Sequence, residues 1–190
     1  AHIDAANVDL KGFTEDFYRH TCGADLHAVL DTLEYLSGTD VWVELTTLLI
    51  PGANDSDEEL DAMTSWVVEH LGPDVPMHFT AFHPDYRMLD TAATPLTTLR
   101  RARSIALGNG VRFAYTGNVA DPDGQTTWCP HCGAAAIARD GYVVSGEGID
   151  SHGACLSCGE VLPGVFDGPV GDWGPRRRPV LIGVPDPQVR

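Results

Sequence analysis

Hydrophobic and polar residues change their spacing along residues 1–119 in a way that predicts strands and amphipathic helices in turn. Four short apolar or β-branched runs predict strands, at residues 5–12, 41–50, 75–82 and 111–115. The second run is apolar almost throughout, which is typical of a strand covered on both faces. We therefore expect neighbouring layers on both sides of that strand.

The segments between these strands carry apolar residues at helical spacing. The first predicted helix begins after the N-cap Asp25 and ends at Gly38. The second begins at a capping box formed by Ser56 and Glu59, and the third begins at Pro95. Strands that alternate with helices imply right-handed crossovers and a parallel sheet. The predicted fold class is α/β, either a barrel or a doubly wound sheet, and four strands make half a barrel at most.

Beyond residue 119 the composition shifts toward glycine, proline and turn-forming residues. Residues 121–125 have the composition of a linker, and the chain after Phe166 has that of an extended tail. We therefore predict three parts: an α/β part at residues 1–119, a small four-cysteine domain at residues 120–167 and a tail at residues 168–190.

The charge and hydropathy of the chain exclude several kinds of partner. Its 190 residues carry 12 Lys and Arg against 27 Asp and Glu, a formal net charge of −15. Such an acidic surface repels phosphate backbones, so we expect no nucleic-acid partner. No stretch approaches the ~20 apolar residues of a membrane span. The polar start of the chain also predicts no signal peptide.

Four of the five cysteines form two C-x-x-C knuckles, Cys129 with Cys132 and Cys155 with Cys158, each followed by glycine. Two knuckles predict a closed four-thiolate site of the zinc-ribbon kind, which suits Zn²⁺. A rubredoxin-type iron site is the main alternative. Two disulfides, or four thiols that bind nothing, are another. Paired knuckles within an odd cysteine count are typical of metal binding in a reducing compartment, so we expect a cytoplasmic protein.

A closed four-thiolate site leaves no position for substrate, so its expected role is structural. A segment of about 40 residues rarely folds on its core alone, and the ion supplies the missing stability. Chelation is therefore predicted to unfold residues 128–165 and to leave residues 1–119 little changed. His131 and His152 are alternative metal ligands, but we expect both at the surface beside the site.

Polar residues follow the ends of the predicted strands, where parallel α/β folds build their sites. Asp9 and Lys11 lie two positions apart at the end of the first strand and are predicted to face a shared ligand, with a salt bridge as the alternative. Lys11 is the only lysine of the chain, and the other basic side chains among its 12 Lys and Arg are all arginine. This usage indicates that the position requires a compact point charge. His83 closes the third strand, whereas His78, inside it, is predicted to be structural.

Four segments resemble radical S-adenosylmethionine enzymes, above all relatives of the pyruvate formate-lyase activating enzymes: NVDLKGF at 7–13, LLIPGANDS at 48–56, FTAFHP at 79–84 and YTGNV at 115–119. Four more are similar to the radical enzyme of the AmmeMemoRadiSam system: CPHCG at 129–133, RDGYVV at 139–144, CLSCG at 155–159 and LPGVF at 162–166. The resemblance covers residues 1–167 in the same order.

The resemblance implies a partial (β/α)6 barrel that binds S-adenosylmethionine at the C-terminal ends of its strands. A [4Fe-4S] cluster would cleave this cofactor reductively to a 5′-deoxyadenosyl radical, which abstracts hydrogen from a substrate. It also implies that Asp9, Lys11 and His83 contact S-adenosylmethionine. Lys11 would pair with a carboxylate, Asp9 with an amine or ribose hydroxyl, and His83 would donate a hydrogen bond.

The chain departs from this family at the cluster loop. The radical enzymes hold three irons with C-x3-C-x2-C after the first strand, but this sequence has no such triplet, and Cys22 stands alone. We therefore expect the chain to be the C-terminal part of such an enzyme, holding only the last strands of its barrel. The cluster ligands would then lie outside it, and alone it would neither bind the cluster nor turn over.

The main alternative is a non-enzymatic module in which the zinc ribbon and half-sheet dock onto a partner. That partner would be the missing N-terminal half of the barrel or a partner protein of the AmmeMemoRadiSam system, and the open sheet edge favours such pairing. A zinc-dependent hydrolase is a weaker interpretation, because a closed four-thiolate site offers no open position for water or substrate.

Overall fold

Residues 3–166 are described by the computed structural model, and the predicted tail at residues 168–190 lies outside this range. The described residues form a four-stranded sheet flanked by helices, followed by a smaller unit that contains both cysteine knuckles. Within this range, none of the helices has the length and apolar character needed to cross a membrane.

The four strands of the larger sheet are parallel and lie in chain order: β1, Ala5–Asp9; β2, Trp42–Leu49; β3, Met77–Ala81; β4, Ala114–Gly117. The predicted parallel sheet is thus confirmed, although β4 begins three residues later than expected. The register of the strands places four polar residues in one row across the sheet: Asp9, Thr46, His78 and Tyr115.

All three predicted helices are present: α2, Leu26–Ser37; α3, Asp57–His70; α4, Leu96–Gly108. A short helix α1, Glu15–Phe17, continues as a π-helical turn over Tyr18–Cys22, which the sequence pattern does not indicate. Asp25 caps α2 as predicted. Ser56 caps α3 by accepting from the Glu59 N–H, but the Glu59 carboxylate reaches across to accept from the backbone N–H of Phe13 at 2.6 Å.

Only one face of the sheet is fully buried among the described residues. On β2, Val43, Leu45, Thr47 and Leu49 are buried, whereas the residues between them are half-buried. The buried face packs against α2, α3 and α4 through residues such as Leu33, Met63 and Leu99. The expectation that β2 is covered on both faces is therefore wrong within residues 3–166. The second face keeps the polar side chains of Glu44 and Thr46, which interrupt the apolar run.

The segment with the composition of a linker forms a packed helical turn, α5, at Pro122–Gln125. It is anchored by Asp121, whose side chain is 1% exposed. Asp121 accepts hydrogen bonds from Arg100 Nη2 at 2.7 Å and from Thr116 Oγ1 at 2.9 Å. The segment predicted to be a linker is therefore hydrogen-bonded to both α4 and β4. The domain boundary near residue 120 stays a prediction.

The small unit contains three short antiparallel strands: β5, Thr127–Trp128; β6, Ala135–Asp140; β7, Val143–Ser145. Its buried core combines Cys129, Ala136, Cys155 and Leu162 with Phe113 from the approach to β4. Arg112 bridges the two parts, with Nη1 2.8 Å from Asp74 and Nη2 3.0 Å from Glu160. The unit therefore packs against the end of the sheet at which β4 begins.

Candidate functional site

The four knuckle cysteines converge on one point. Cys129 Sγ lies 3.7 Å from Cys158 Sγ, and Cys132 Sγ lies 3.8 Å from Cys155 Sγ. All four sulfurs lie within 4.8 Å of one another. A tetrahedral ion with metal–sulfur bonds of about 2.3 Å separates its sulfurs by about 3.8 Å. The arrangement therefore fits one metal ion held by four thiolates.

The same distances exclude other arrangements of these cysteines. A disulfide would require a sulfur–sulfur distance of about 2.05 Å. A [4Fe-4S] cube would place each cysteine on a different iron and hold the sulfurs farther apart than one tetrahedral edge. Zinc and iron both accept four thiolates in a tetrahedron, so the geometry suits either ion. His131 and His152 are exposed, and neither belongs to the four-sulfur group.

Backbone hydrogen bonds close both knuckles. The N–H of Gly133 donates to the carbonyl of Cys129 at 2.9 Å, and the N–H of Gly159 donates to the carbonyl of Cys155 at 2.8 Å. Both glycines have positive φ, 73° and 81°, a conformation that glycine adopts without steric cost. The turns that hold the sulfurs together are thus encoded within five residues each, which is why the sequence alone reveals them.

The surroundings of Cys129 and Cys158 shift the pKa values of both thiols. Burial opposes ionisation of Cys129, but the N–H groups of Cys132 and His131 outweigh it and lower its pKa to about 7. The N–H of Glu160 lowers the pKa of Cys158, but burial and the neighbouring sulfurs raise it to about 12. Cys158 therefore stays protonated near neutral pH without a cation, and a metal ion held by the four sulfurs would supply the compensating charge.

Asp9 and Lys11 lie where β1 ends, and their side chains form an ion pair. Lys11 Nζ is 2.9 Å from Asp9 Oδ2, so the salt bridge considered as the alternative is present. The Lys11 side chain is 38% exposed and the Asp9 side chain is 54% exposed. An ion pair this exposed contributes at most about 1 kcal/mol, so either group can exchange its partner for a ligand.

His83 lies two residues beyond the end of β3 and is exposed. The strands are parallel, so His83 lies at the same edge of the sheet as Asp9 and Lys11. No hydrogen bond joins His83 to either of them within residues 3–166. Thr94 fixes the backbone before His83, because its hydroxyl accepts from the Phe82 N–H and its own N–H donates to the Phe82 carbonyl, both at 3.0 Å.

Side chains that the sequence pattern does not indicate hold the loop that carries Lys11. Buried Asn54 donates through Nδ2 to the carbonyls of Lys11 at 2.6 Å and Leu48 at 2.9 Å. The Lys11 N–H donates to the buried hydroxyl of Tyr18 at 3.0 Å. Together with the Glu59 contact to Phe13, these bonds tie the end of β1 to the end of β2. These hydrogen bonds therefore fix the position of the Lys11 backbone.

His78, predicted to be structural, belongs to a polar cluster on the less buried face of the sheet. His78 Nε2 lies 2.7 Å from Glu44 Oε2, and this hydrogen bond lowers the pKa of Glu44. The imidazole stacks on Tyr115 with ring centroids 5.1 Å apart. The Tyr115 hydroxyl lies 2.9 Å from Thr127 Oγ1, and the Arg139 guanidinium lies 5.5 Å from the Tyr115 ring centre. The cluster thus joins the sheet to the small unit.

No family model matches the chain, but the chain is similar in sequence to a curated protein and in fold to a solved structure. The chain is 39% identical over 163 residues to "Uncharacterized protein MJ0808" of Methanocaldococcus jannaschii. That alignment covers 84% of the chain but 48% of the relative, so the chain spans about half the length of this relative.

The fold is similar to the crystal structure of a domain of pyruvate-formate lyase-activating enzyme from Bacteroides vulgatus, with a TM-score of 0.54. The superposition covers 60% of this chain and 68% of that domain at 13% sequence identity. At this level of identity the likeness concerns the fold. It agrees with the parallel α/β architecture described above.

Proposed function

We propose that this chain is the C-terminal part of a radical S-adenosylmethionine enzyme related to the pyruvate formate-lyase activating enzymes, of the AmmeMemoRadiSam type. Its sheet would form the last strands of the partial (β/α) barrel. The fold likeness to an activating-enzyme domain supports this proposal. The main support is the parallel sheet. Its strands end on the same side, so Asp9, Lys11 and His83 all lie at the C-terminal end of the sheet.

Each of these side chains has a role in the proposal. Lys11 would donate to the carboxylate of S-adenosylmethionine, Asp9 would accept from its amine or a ribose hydroxyl, and His83 would donate a hydrogen bond. The ordered loop around Lys11 would hold the ammonium in place, which lowers the entropy lost on binding. S-adenosylmethionine and a reduced [4Fe-4S] cluster together supply the radical that abstracts hydrogen in this family.

The residues of this chain do not fit the [4Fe-4S] cluster itself. Four of its five cysteines are gathered at distances that suit one ion, and the fifth, Cys22, stands apart from them. The proposal therefore assigns the cluster ligands to residues outside this chain. The four knuckle cysteines would hold a structural zinc ion, with iron as the alternative metal.

Binding of S-adenosylmethionine is expected to depend on Lys11. Lys11→Ala removes the only lysine ammonium of the chain and is expected to raise the Kd for S-adenosylmethionine at least tenfold. A hydrogen bond to a charged group contributes about 1.5–3 kcal/mol, and about 1.4 kcal/mol corresponds to a factor of ten. Isothermal titration calorimetry on the purified, metal-loaded chain measures this change.

Arg112→Gln is the matched control for this experiment. It removes a cation of similar exposure, 32% against 38%, but from the end of the sheet at which β4 begins. The control is expected to bind S-adenosylmethionine like the unsubstituted chain. Equal affinity in Lys11→Ala, or no binding by the unsubstituted chain, would argue against the proposal.

A second candidate function, a module that docks onto a partner protein, is favoured by the surface of the small unit. Several large apolar side chains are exposed there: Tyr142, Val143, Leu156, Val161 and Val165. Exposed apolar side chains gathered in a small unit are the observation that favours a protein contact there. The partner would be the N-terminal half of the same barrel or another protein of the AmmeMemoRadiSam system. Docking requires no S-adenosylmethionine, so the calorimetric experiment separates the two functions.

A further inference from the structure

A cavity of about 600 Å³ lies between the sheet and the four-cysteine unit. One wall comes from residues within the first three positions of β2, β3 and β4 and from the residues just before β3 and β4. The other comes from Gln125, β5, β6, Gly141 and residues 162–166. None of Asp9, Lys11 and His83 lines it. Its volume lies within the range of about 300–1,000 Å³ that small-molecule pockets occupy. It is therefore a candidate site separate from the sheet edge.

The sheet wall of this cavity is built from planar side chains. Trp42, His78 and Tyr115 line it, and the His78 and Tyr115 rings stack nearly parallel, with 22° between their planes. The ring positions are held by polar contacts, because Trp42 Nε1 donates to Glu44 at 3.1 Å and Tyr115 contacts Thr127. A wall of fixed planar rings suits a planar aromatic ligand.

Arg139 supplies a cation from the opposite wall. Its Nη1 donates to Thr127 Oγ1 at 2.7 Å and to the Gln125 carbonyl at 3.3 Å, which fixes the guanidinium near Tyr115. Within residues 3–166 these hydrogen bonds engage Nη1 alone, so Nε and Nη2 keep donors for a ligand. Paired guanidinium donors of this kind bind a carboxylate or a phosphate in bidentate fashion.

Glu44 supplies a negative charge to the same cavity. Its two carboxylate oxygens accept from Trp42 and from His78, and the His78 contact lowers its pKa, so Glu44 is ionised at neutral pH. The Arg139 charge also contributes to the lowered pKa of Glu44. The carboxylate repels an anion placed close to it, so an anionic group is favoured on the guanidinium and away from Glu44. A ligand would therefore place its ring beside the aromatic wall and its anionic group on the guanidinium.

We infer that this cavity binds a small planar aromatic molecule that carries a carboxylate or phosphate group. The ring packs against Trp42, His78 and Tyr115, and the anionic group accepts hydrogen bonds from Arg139. The four-cysteine unit then has a role beyond its own folding, because its strands β5 and β6 form one wall of the binding site.

The test is a ligand-observed NMR titration of the full, metal-loaded chain with 4-hydroxybenzoate and phenyl phosphate. 4-Hydroxybenzamide, a neutral molecule of similar shape, is the reference. The anionic probes are expected to bind at least tenfold more tightly than the amide, because only they pair with Arg139. Arg139→Gln is expected to remove this difference. Binding by only one of the two anions identifies the natural group as carboxylate or phosphate.

Two further variants separate recognition from structural damage. Arg112→Gln also removes a contact between the sheet and the small unit but does not line the cavity, so it should keep the preference for anions. Glu44→Gln removes the opposing charge and should tighten binding of the anionic probes severalfold. Equal affinity for acid and amide, an equal loss in Arg112→Gln, or no binding of any probe at millimolar concentration would overturn the inference.

Discussion

Removal of the metal ion is expected to unfold residues 127–166 and to leave the four-stranded sheet folded. The buried core of the small unit consists of Ala136, Leu162, two of the cysteines and Phe113 from the sheet part. That is too little apolar surface to stabilise some forty residues. A structural zinc site contributes about 10–16 kcal/mol in zinc-finger peptides, and that binding energy is folding energy. Hydrogen–deuterium exchange before and after chelation measures the effect in each part.

Two cysteine variants sharpen this experiment. Cys155→Ser removes one buried ligand and is expected to reproduce the chelated state, with rapid exchange throughout residues 127–166. Cys22→Ser removes an exposed thiol outside the four-sulfur group and should retain one ion per chain. If the small unit stays protected with no metal bound, or if the sheet unfolds together with it, the structural role assigned to the ion is wrong.

Asp121→Ala is expected to lower the free energy of unfolding by about 2–3 kcal/mol. The substitution removes the buried acceptor shared by Arg100 and Thr116 and leaves the Thr116 hydroxyl buried without that partner. Urea denaturation of the metal-loaded protein measures the loss. Asp57→Ala is the control, since it removes an exposed aspartate that pairs with Arg101 and should cost less than about 1 kcal/mol. A similar loss in both variants would contradict the role given to Asp121.

The same carboxylate gives stability a defined pH dependence. The hydrogen bond from Arg100 lowers the pKa of Asp121 below its ordinary value of 3.8, despite the opposing effect of burial. Its contribution to stability is therefore complete above that value and is lost as pH falls through the lower pKa of the folded state. Between about pH 4 and pH 2 the unsubstituted protein is expected to lose stability more steeply than Asp121→Asn. Equal slopes in that range would contradict this assignment.

The elements that the sequence predicts well are those set by neighbours along the chain. The cap at Asp25, the knuckle glycines and the alternation of strands and helices all depend on contacts within a few residues. β4 begins later than the sequence predicts because a hydrogen bond at the end of α4 uses Val111. The Val111 N–H donates to the carbonyl of Ala106 and completes the end of α4, so this β-branched residue is not available to the sheet.

The contacts that the sequence does not reveal join residues far apart in the chain. Asn54 reaches Lys11 across 43 positions, and His78 reaches Glu44 across 34. Both depend on which strands pair and in which register. Hydrophobic periodicity indicates which face of a strand is buried, but it does not identify the residue that lies opposite on the partner strand. The packed turn after Asp121 is hidden for the same reason, because its partner Arg100 belongs to another helix.

The central claim is that the sheet edge carrying Lys11 and His83 binds S-adenosylmethionine. Hydrogen–deuterium exchange of the metal-loaded chain with and without S-adenosylmethionine tests it most directly, because it locates the contact. The account predicts slower exchange in residues 10–18 and 82–88 and little change in residues 127–166. Unchanged exchange at a saturating concentration, or protection confined to the four-cysteine unit, would contradict it.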